Sequence, residues 1–216
     1  STLQMVQVTS STSWLQESKA ITDFFLENRR LVMYPYHRLL KMFIGNLFRK
    51  KHSFDINREY HWSFRPGLGD IDVYPEVNNG RHLVFCDLAR YDIAFKIGLF
   101  KYVRKNKYAF VIGGSTIRYR KRLVPFRKAT VRSKIVGFDE KFYYFQQTIE
   151  QKNEVKSSAL LRAGIRFKGG VAPPEEVMKD LGYDLEPFIK PWVLEWTNWD
   201  NEERPWPLPM SETEQM

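Results

Sequence analysis

Cysteine is nearly absent: Cys86 is the only one in 216 residues. That excludes a disulfide framework within the chain and any zinc site built on cysteines. It points to a reducing compartment. The polar N-terminal stretch carries no signal-like apolar run, which extends the expectation to a cytoplasmic location. No uncharged apolar run reaches the ~20 residues of a membrane-spanning helix, and there is no repeat or low-complexity tract. Acids are missing from one long stretch: Ile93 to Phe138 holds 13 Lys or Arg and no Asp or Glu. With a formal net charge of +9, this block implies an anionic partner: nucleic acid, a membrane surface or a phosphorylated cofactor. For any single cation in it, a solvated sheet face is the simpler reading.

What is present is 43% hydrophobic and 15% aromatic, enough for one core with extensions. The organising stretch runs from Gly69 to His82 and on to Phe100. It holds two carboxylates, Asp70 and Asp72, then Pro75-Glu76, then Asn78-Asn79-Gly80 before a long apolar run. Asn accepts hydrogen bonds from the free N–H groups of a first helical turn, and Gly98 suits a left-handed stop. The pattern predicts a helix from about Asn79 to Ile97, ~28 Å long at 1.5 Å per residue. Its apolar residues leave little polar surface, so it should be buried. Asp87, Arg90, Asp92 and Lys96 make it too charged to span a membrane.

Around this rod, Ser1–Thr12 reads as disordered, and Ser13 with Gln16 as the start of a helix carrying Trp14, Ile21 and Phe25. Pro35 opens a basic amphipathic helix with Tyr36, Leu40, Phe43 and Leu47 on one side, ending in Arg49-Lys50-Lys51. Docking on the core is its expected role, with peripheral membrane contact through Pro35–Lys51 as the alternative. Glu59–Arg65 reads as a strand, Lys101–Lys107 as a basic connector, and Tyr108–Ile112 as a short strand before a bend at Gly113-Gly114. Four alternating strands follow, at Ser115–Leu123, Ala129–Val136, Lys141–Glu150 and Val155–Lys168. Gly169-Gly170 should end the sheet and Pro173-Pro174 open a short helix. Tyr183–Met216, rich in Trp and Pro, reads as an extended arm. The segments are therefore 1–55, an N-terminal helical extension; 56–170, the central domain; and 171–216, a C-terminal helix and arm. The order is α+β, with an antiparallel sheet curled round the long helix.

The motif Asp70-Ile71-Asp72, four residues, then Val77-Asn78-Asn79, three residues, then Leu83, resembles that of hotdog-fold thioesterases, closest to the 4-hydroxybenzoyl-CoA thioesterase-like branch. Arg118-Tyr119-Arg120-Lys121-Arg122-Leu123, Pro125-Phe126 and Gly137-Phe138-Asp139-Glu140 look like the same group. The resemblance covers about Glu59 to Lys168. It implies a homodimer or tetramer with sites between subunits, acting on acyl-CoA or acyl-carrier-protein thioesters. The chain departs from the family pattern at Pro75-Glu76, where Gly-His is usual, and at His82, where Tyr is usual. Asp72 keeps the position of the family's catalytic aspartate.

Thioester hydrolysis needs a base or carboxylate nucleophile, and N–H donors where the carbonyl oxygen becomes negative. A helix start supplies such donors. The resemblance assigns catalysis to Asp72 with Asn78, Asn79 and Gly80. Without it, Asp72 would read as a turn cap, and Asn78 and Asn79 are first of all helix caps. Asp70 reads as structural. Glu76 is a surface group or substitute carboxylate, and His82 a satisfied core histidine or a substrate contact. Arg118, Arg120 and Arg122 are candidates for the CoA phosphates, with Arg127, Lys128 and Arg132 behind them, because arginine forks grip phosphate well. No metal and no cofactor is called for, CoA being part of the substrate. A non-catalytic acyl-CoA binder is the second reading. A nucleic-acid binder using Tyr119, Tyr143 and Tyr144 is the third, although no RNP-like or helix-turn-helix signature is present.

Overall fold

The computed structural model describes residues 36–47 and 54–204. The helix expected after Ser13, with Trp14, Ile21 and Phe25, lies outside them, as do Pro35, Arg49-Lys50-Lys51 and the residues from 205 onward.

The central helix is where the sequence puts it. Helix α2 (Asn79–Lys96) is capped by Asn78, whose side chain accepts from the Gly80 N–H. Gly98 follows at φ 82, the left-handed conformation that stops the helix. No residue from Arg81 to Phe100 is classed as exposed. Helix α1 (Tyr36–Leu47) docks on the core through Leu39 and Met42. Leu40, which the sequence places on the docking stripe, is 59% exposed. Arg38 of the same helix is tied to Asp70 by an ion pair at 2.6 Å.

The strands are β1 (Tyr60–Phe64), β2 (Ala109–Tyr119), β3 (Ala129–Phe138), β4 (Tyr143–Gln151) and β5 (Glu154–Phe167). They form an antiparallel sheet in the order β1-β3-β4-β5-β2. Their alternation puts one face on α2. Phe85, Leu88 and Ala89 meet Phe64, Val131 and Ile149 toward one end. Ile93 and Ile97 meet Ile135, Phe145 and Ile165 toward the other.

Several boundaries differ from the sequence reading. The segment read as a connector is helix α3 (Leu99–Lys105), whose Val103 is buried. The two strands expected on either side of Gly113-Gly114 are one strand, β2, with a register shift between Ile112 and Gly114. Beyond Gly169-Gly170 the sheet continues as β6 (Gly170–Ala172), paired with β5. After helix α4 (Pro174–Asp180), the Trp-rich segment is folded rather than extended. It forms β7 (Phe188–Ile189) against β3, helix α5 (Pro191–Asn198) and a π-helical turn at Trp199–Glu203. Val193 and Trp196 of α5 cover Val136, Tyr144 and Leu160. An apolar outer patch of the sheet needs such a cover, and the arm supplies it.

Candidate active site

The site begins with a pinned turn. Asp70 is buried; it accepts from the Gly67 N–H at 2.8 Å and pairs with Arg38 and, at 3.5 Å, with Arg81. Its carbonyl receives the Asn78 N–H at 2.9 Å, which ties the turn to the helix cap. Asp70 is thus structural. Ile71 and Val77 form a single antiparallel bridge, and the Asp72 N–H donates to the Glu76 carbonyl at 2.9 Å. Between them lies a tight exposed loop. Asp72 sits on it, one oxygen accepting from the Val73 N–H at 2.7 Å and the other from the Asn78 amide at 3.0 Å. A carboxylate thus stands beside the helix start.

The other residues singled out by sequence divide around it. Asn78 caps Gly80 at 2.8 Å, so the Gly80 N–H is already engaged. A Cβ at Gly80 would lie 3.2 Å from the Asn78 side-chain oxygen, a tight contact. The Asn79 carbonyl accepts from the Tyr119 hydroxyl at 3.0 Å. Glu76 pairs with Arg122 at 3.1 Å, linking the Asp72 loop to the basic segment. The Val77 N–H also reaches the Leu123 carbonyl. Arg118 and Arg120 are exposed, and neither has an acidic partner among the described residues. Arg132 is engaged by Glu59 and Glu150 on the outer face. His82 does not face the loop. It is buried, bonded to the Ser157 hydroxyl at 2.8 Å and edge-on to Tyr119. Burial lowers its pKa to about 4, so the ring is neutral at neutral pH. Burial also pushes the Cys86 thiol up to about 12, which removes it as a nucleophile.

Sequence reasoning missed a cavity. It measures about 250 Å³ and lies between α2 and the sheet, lined by Tyr91 and Ala94 of α2, Ile97 just after it, Phe110 and Ile112 of β2, and Phe145 of β4. Asp87 and Arg90 also line it. Arg90 donates to Asp87 and to Gln147. Gln147 is fully buried and donates to the Cys86 carbonyl at 3.1 Å and the Ser133 hydroxyl at 2.8 Å. Desolvation raises the Asp87 pKa against the opposing pull of Arg90. Asp72 and this cavity are separate: Asp87 stands about 12 Å along the helix axis from Asn79, at 1.5 Å per residue. The available signal was a glutamine, Gln147, alternating with Phe145 and Ile149 on the inward side of β4, opposite a charged pair three residues apart on the helix.

A curled antiparallel sheet packed on one long buried helix, with a carboxylate loop at the helix start, is the hotdog fold. The model of the thioesterase-like superfamily matches residues 66–181, more than half of the chain, and the chain belongs to that superfamily. Among curated proteins, Protein THEM6 of Danio rerio is 38% identical over 94 residues, 44% of this chain and 46% of that protein. The long-chain acyl-CoA thioesterase FadM of Escherichia coli is 31% identical over 93 residues, 42% of this chain and 70% of that protein. The chain spans about half the length of the THEM6 proteins of Danio rerio and Xenopus laevis that it matches. Among solved structures, the probable thioesterase YbaW of Escherichia coli aligns with a TM-score of 0.51 at 25% identity, over 56% of this chain and 96% of that one. No helix among the described residues is long and apolar enough to cross a membrane.

Proposed function

We propose that the chain hydrolyses an acyl thioester of coenzyme A or an acyl carrier protein, with Asp72 as general base or nucleophile. The observation that carries this reading is the Asp72 carboxylate held 3.0 Å from the cap of a helix whose later turns line an apolar cavity. As general base, Asp72 takes a proton from water, and the resulting hydroxide oxygen attacks the thioester carbon. Negative charge then gathers on the former carbonyl oxygen, where backbone N–H groups of the first α2 turn stabilise it. The C–S bond breaks, the thiolate recovers the proton, and the products are a carboxylic acid and a thiol. The acyl chain enters the cavity, and Arg118 and Arg120 take the phosphates of the carrier. Superfamily membership and the likeness to a long-chain acyl-CoA thioesterase support this assignment. The acting species is a homodimer.

One observation favours a second reading, binding without turnover. The Gly80 N–H is occupied by the Asn78 side chain, and a productive oxyanion site needs that bond to open. Thiol release from a panel of acyl-CoA esters decides between them. Hydrolysis should be present in the wild type and fall at least about a hundredfold in Asp72→Asn, a general-base loss. Tight binding with no thiol release, or an undiminished rate in the variant, rejects the catalytic role.

A further inference from the structure

This inference rests on the acyl-thioester reading and concerns which acyl group is taken. Polar groups in the cavity wall form a hydrogen-bonded network. Arg90 is shared between Asp87 and Gln147, and Gln147 is anchored in turn to Cys86 and Ser133. Only one Asp87 oxygen is used; the other has no hydrogen-bond partner among the described residues. The Asp87 side chain keeps 37% of its surface exposed, and that surface borders a cavity otherwise walled mainly by apolar and aromatic side chains.

We propose that Asp87 selects acyl chains that carry a hydroxyl group partway along their length, its uncommitted oxygen accepting the hydroxyl proton. A plain methylene chain laid against that oxygen strips its water and returns nothing, whereas a hydroxyl replaces the lost bond with one to a charged acceptor. Sites built around such a bond reject the analogue that lacks it more strongly than apolar pockets reject an extra methylene. A chain bearing a second carboxylate is disfavoured where it would lie close to the Asp87 carboxylate, since like charges repel. The cavity begins about 12 Å along α2 from the helix start, so an acyl group of two or three carbons attached there does not reach it. At ~30 Å³ for a water-sized group, a cavity of about 250 Å³ accommodates a medium-length chain.

The test needs no turnover. Binding of dodecanoic acid and of its hydroxylated isomers, with the hydroxyl at mid-chain or at the far end, is measured by calorimetry on the wild type and on Asp87→Leu. At least one hydroxylated isomer should bind the wild type about tenfold more tightly than the plain acid, a charged-acceptor hydrogen bond's worth. In Asp87→Leu the ratio should fall to about one or invert. If the leucine variant does not fold, Asp87→Asn keeps the shape and the contact to Arg90, and the ratio should still drop. Equal binding of all acids to the wild type, binding of none, or a ratio unchanged in the variants overturns the proposal. Thiol release from the matching CoA esters separates the two readings. A hydroxyl preference without hydrolysis sinks the catalytic assignment alone, and hydrolysis without a preference sinks this one alone.

Discussion

His82 shows how one side chain can look functional in sequence and behave otherwise in the fold. It stands one turn into the helix, close in sequence to Asp72, yet its ring is enclosed by Ser157 and Tyr119. Its folded pKa, about 4, lies below the ~6.5 of an unfolded histidine, so the unfolded chain takes up the proton first. The stability tied to a neutral His82 is therefore complete above pH ~6.5 and is lost as pH falls toward 4, by about 3 kcal/mol in all. Urea unfolding at pH 7 and near pH 4 should show that loss in the wild type and a smaller one in His82→Gln. Parallel pH dependence in the two proteins would refute it. Asp70, read in sequence as structural, is buried and paired in the fold; the catalytic reading of Asp72 comes from the motif resemblance. Asp87 was not legible. In sequence it was one of five charges on an otherwise largely apolar helix. Its importance comes from a cavity whose walls are drawn from α2, four strands and the segments beside them, and linear spacing does not record that.

At the scale of elements, the strongest signals were local. Caps at Asn78 and Gly98 and the alternation of β5 fixed the helix and the clearest strand because those features act within a few residues. The helical content of the C-terminal segment was hidden by its Trp and Pro residues, which suit an anchored arm equally well. What holds it is long-range. Arg162 of β5 lies over Trp196 of α5 and over Phe142, and pairs at 2.7 Å with the buried Asp200. Gly114 makes the room: a Cβ there would sit 2.8 Å from the Arg162 Nε. Asp200→Ala leaves the Arg162 charge buried against aromatic rings and should cost roughly 3 kcal/mol in chemical denaturation. Replacing both partners, Arg162→Met with Asp200→Leu, should restore most of that loss, since the cost lies in the uncompensated charge. A double variant no more stable than Asp200→Ala would show that the pair does more than neutralise itself.

For the whole molecule, the open demand is the β2 edge of the sheet, which no other strand covers among the described residues. Strand β2 is paired with β5 on one side and ends the strand order on the other. It runs for 11 residues, with Arg118 its only charged side chain and no proline. Proteins that leave an edge strand open usually shorten it, charge it or break it. Here the edge is interrupted only by the register shift between Ile112 and Gly114, and it carries Phe110 and Ile112 of the cavity wall. A second copy pairing along β2 would satisfy its backbone groups and close the cavity from that side, consistent with a homodimer as the acting species. In an antiparallel pairing about a two-fold axis, residues near the strand centre face their own copies. A lysine at the exposed Thr116 would therefore set like charges against each other. Sedimentation equilibrium should show a wild-type dimer, and Thr116→Lys shifted toward monomer with the β5 pairing intact. A two-fold interface needs on the order of 1,200 Å² or more of buried surface to persist, so a weak shift at low salt that vanishes at high salt would still point to this edge. A wild type that stays monomeric at high concentration would leave the strand uncovered and remove the dimer from the proposed mechanism.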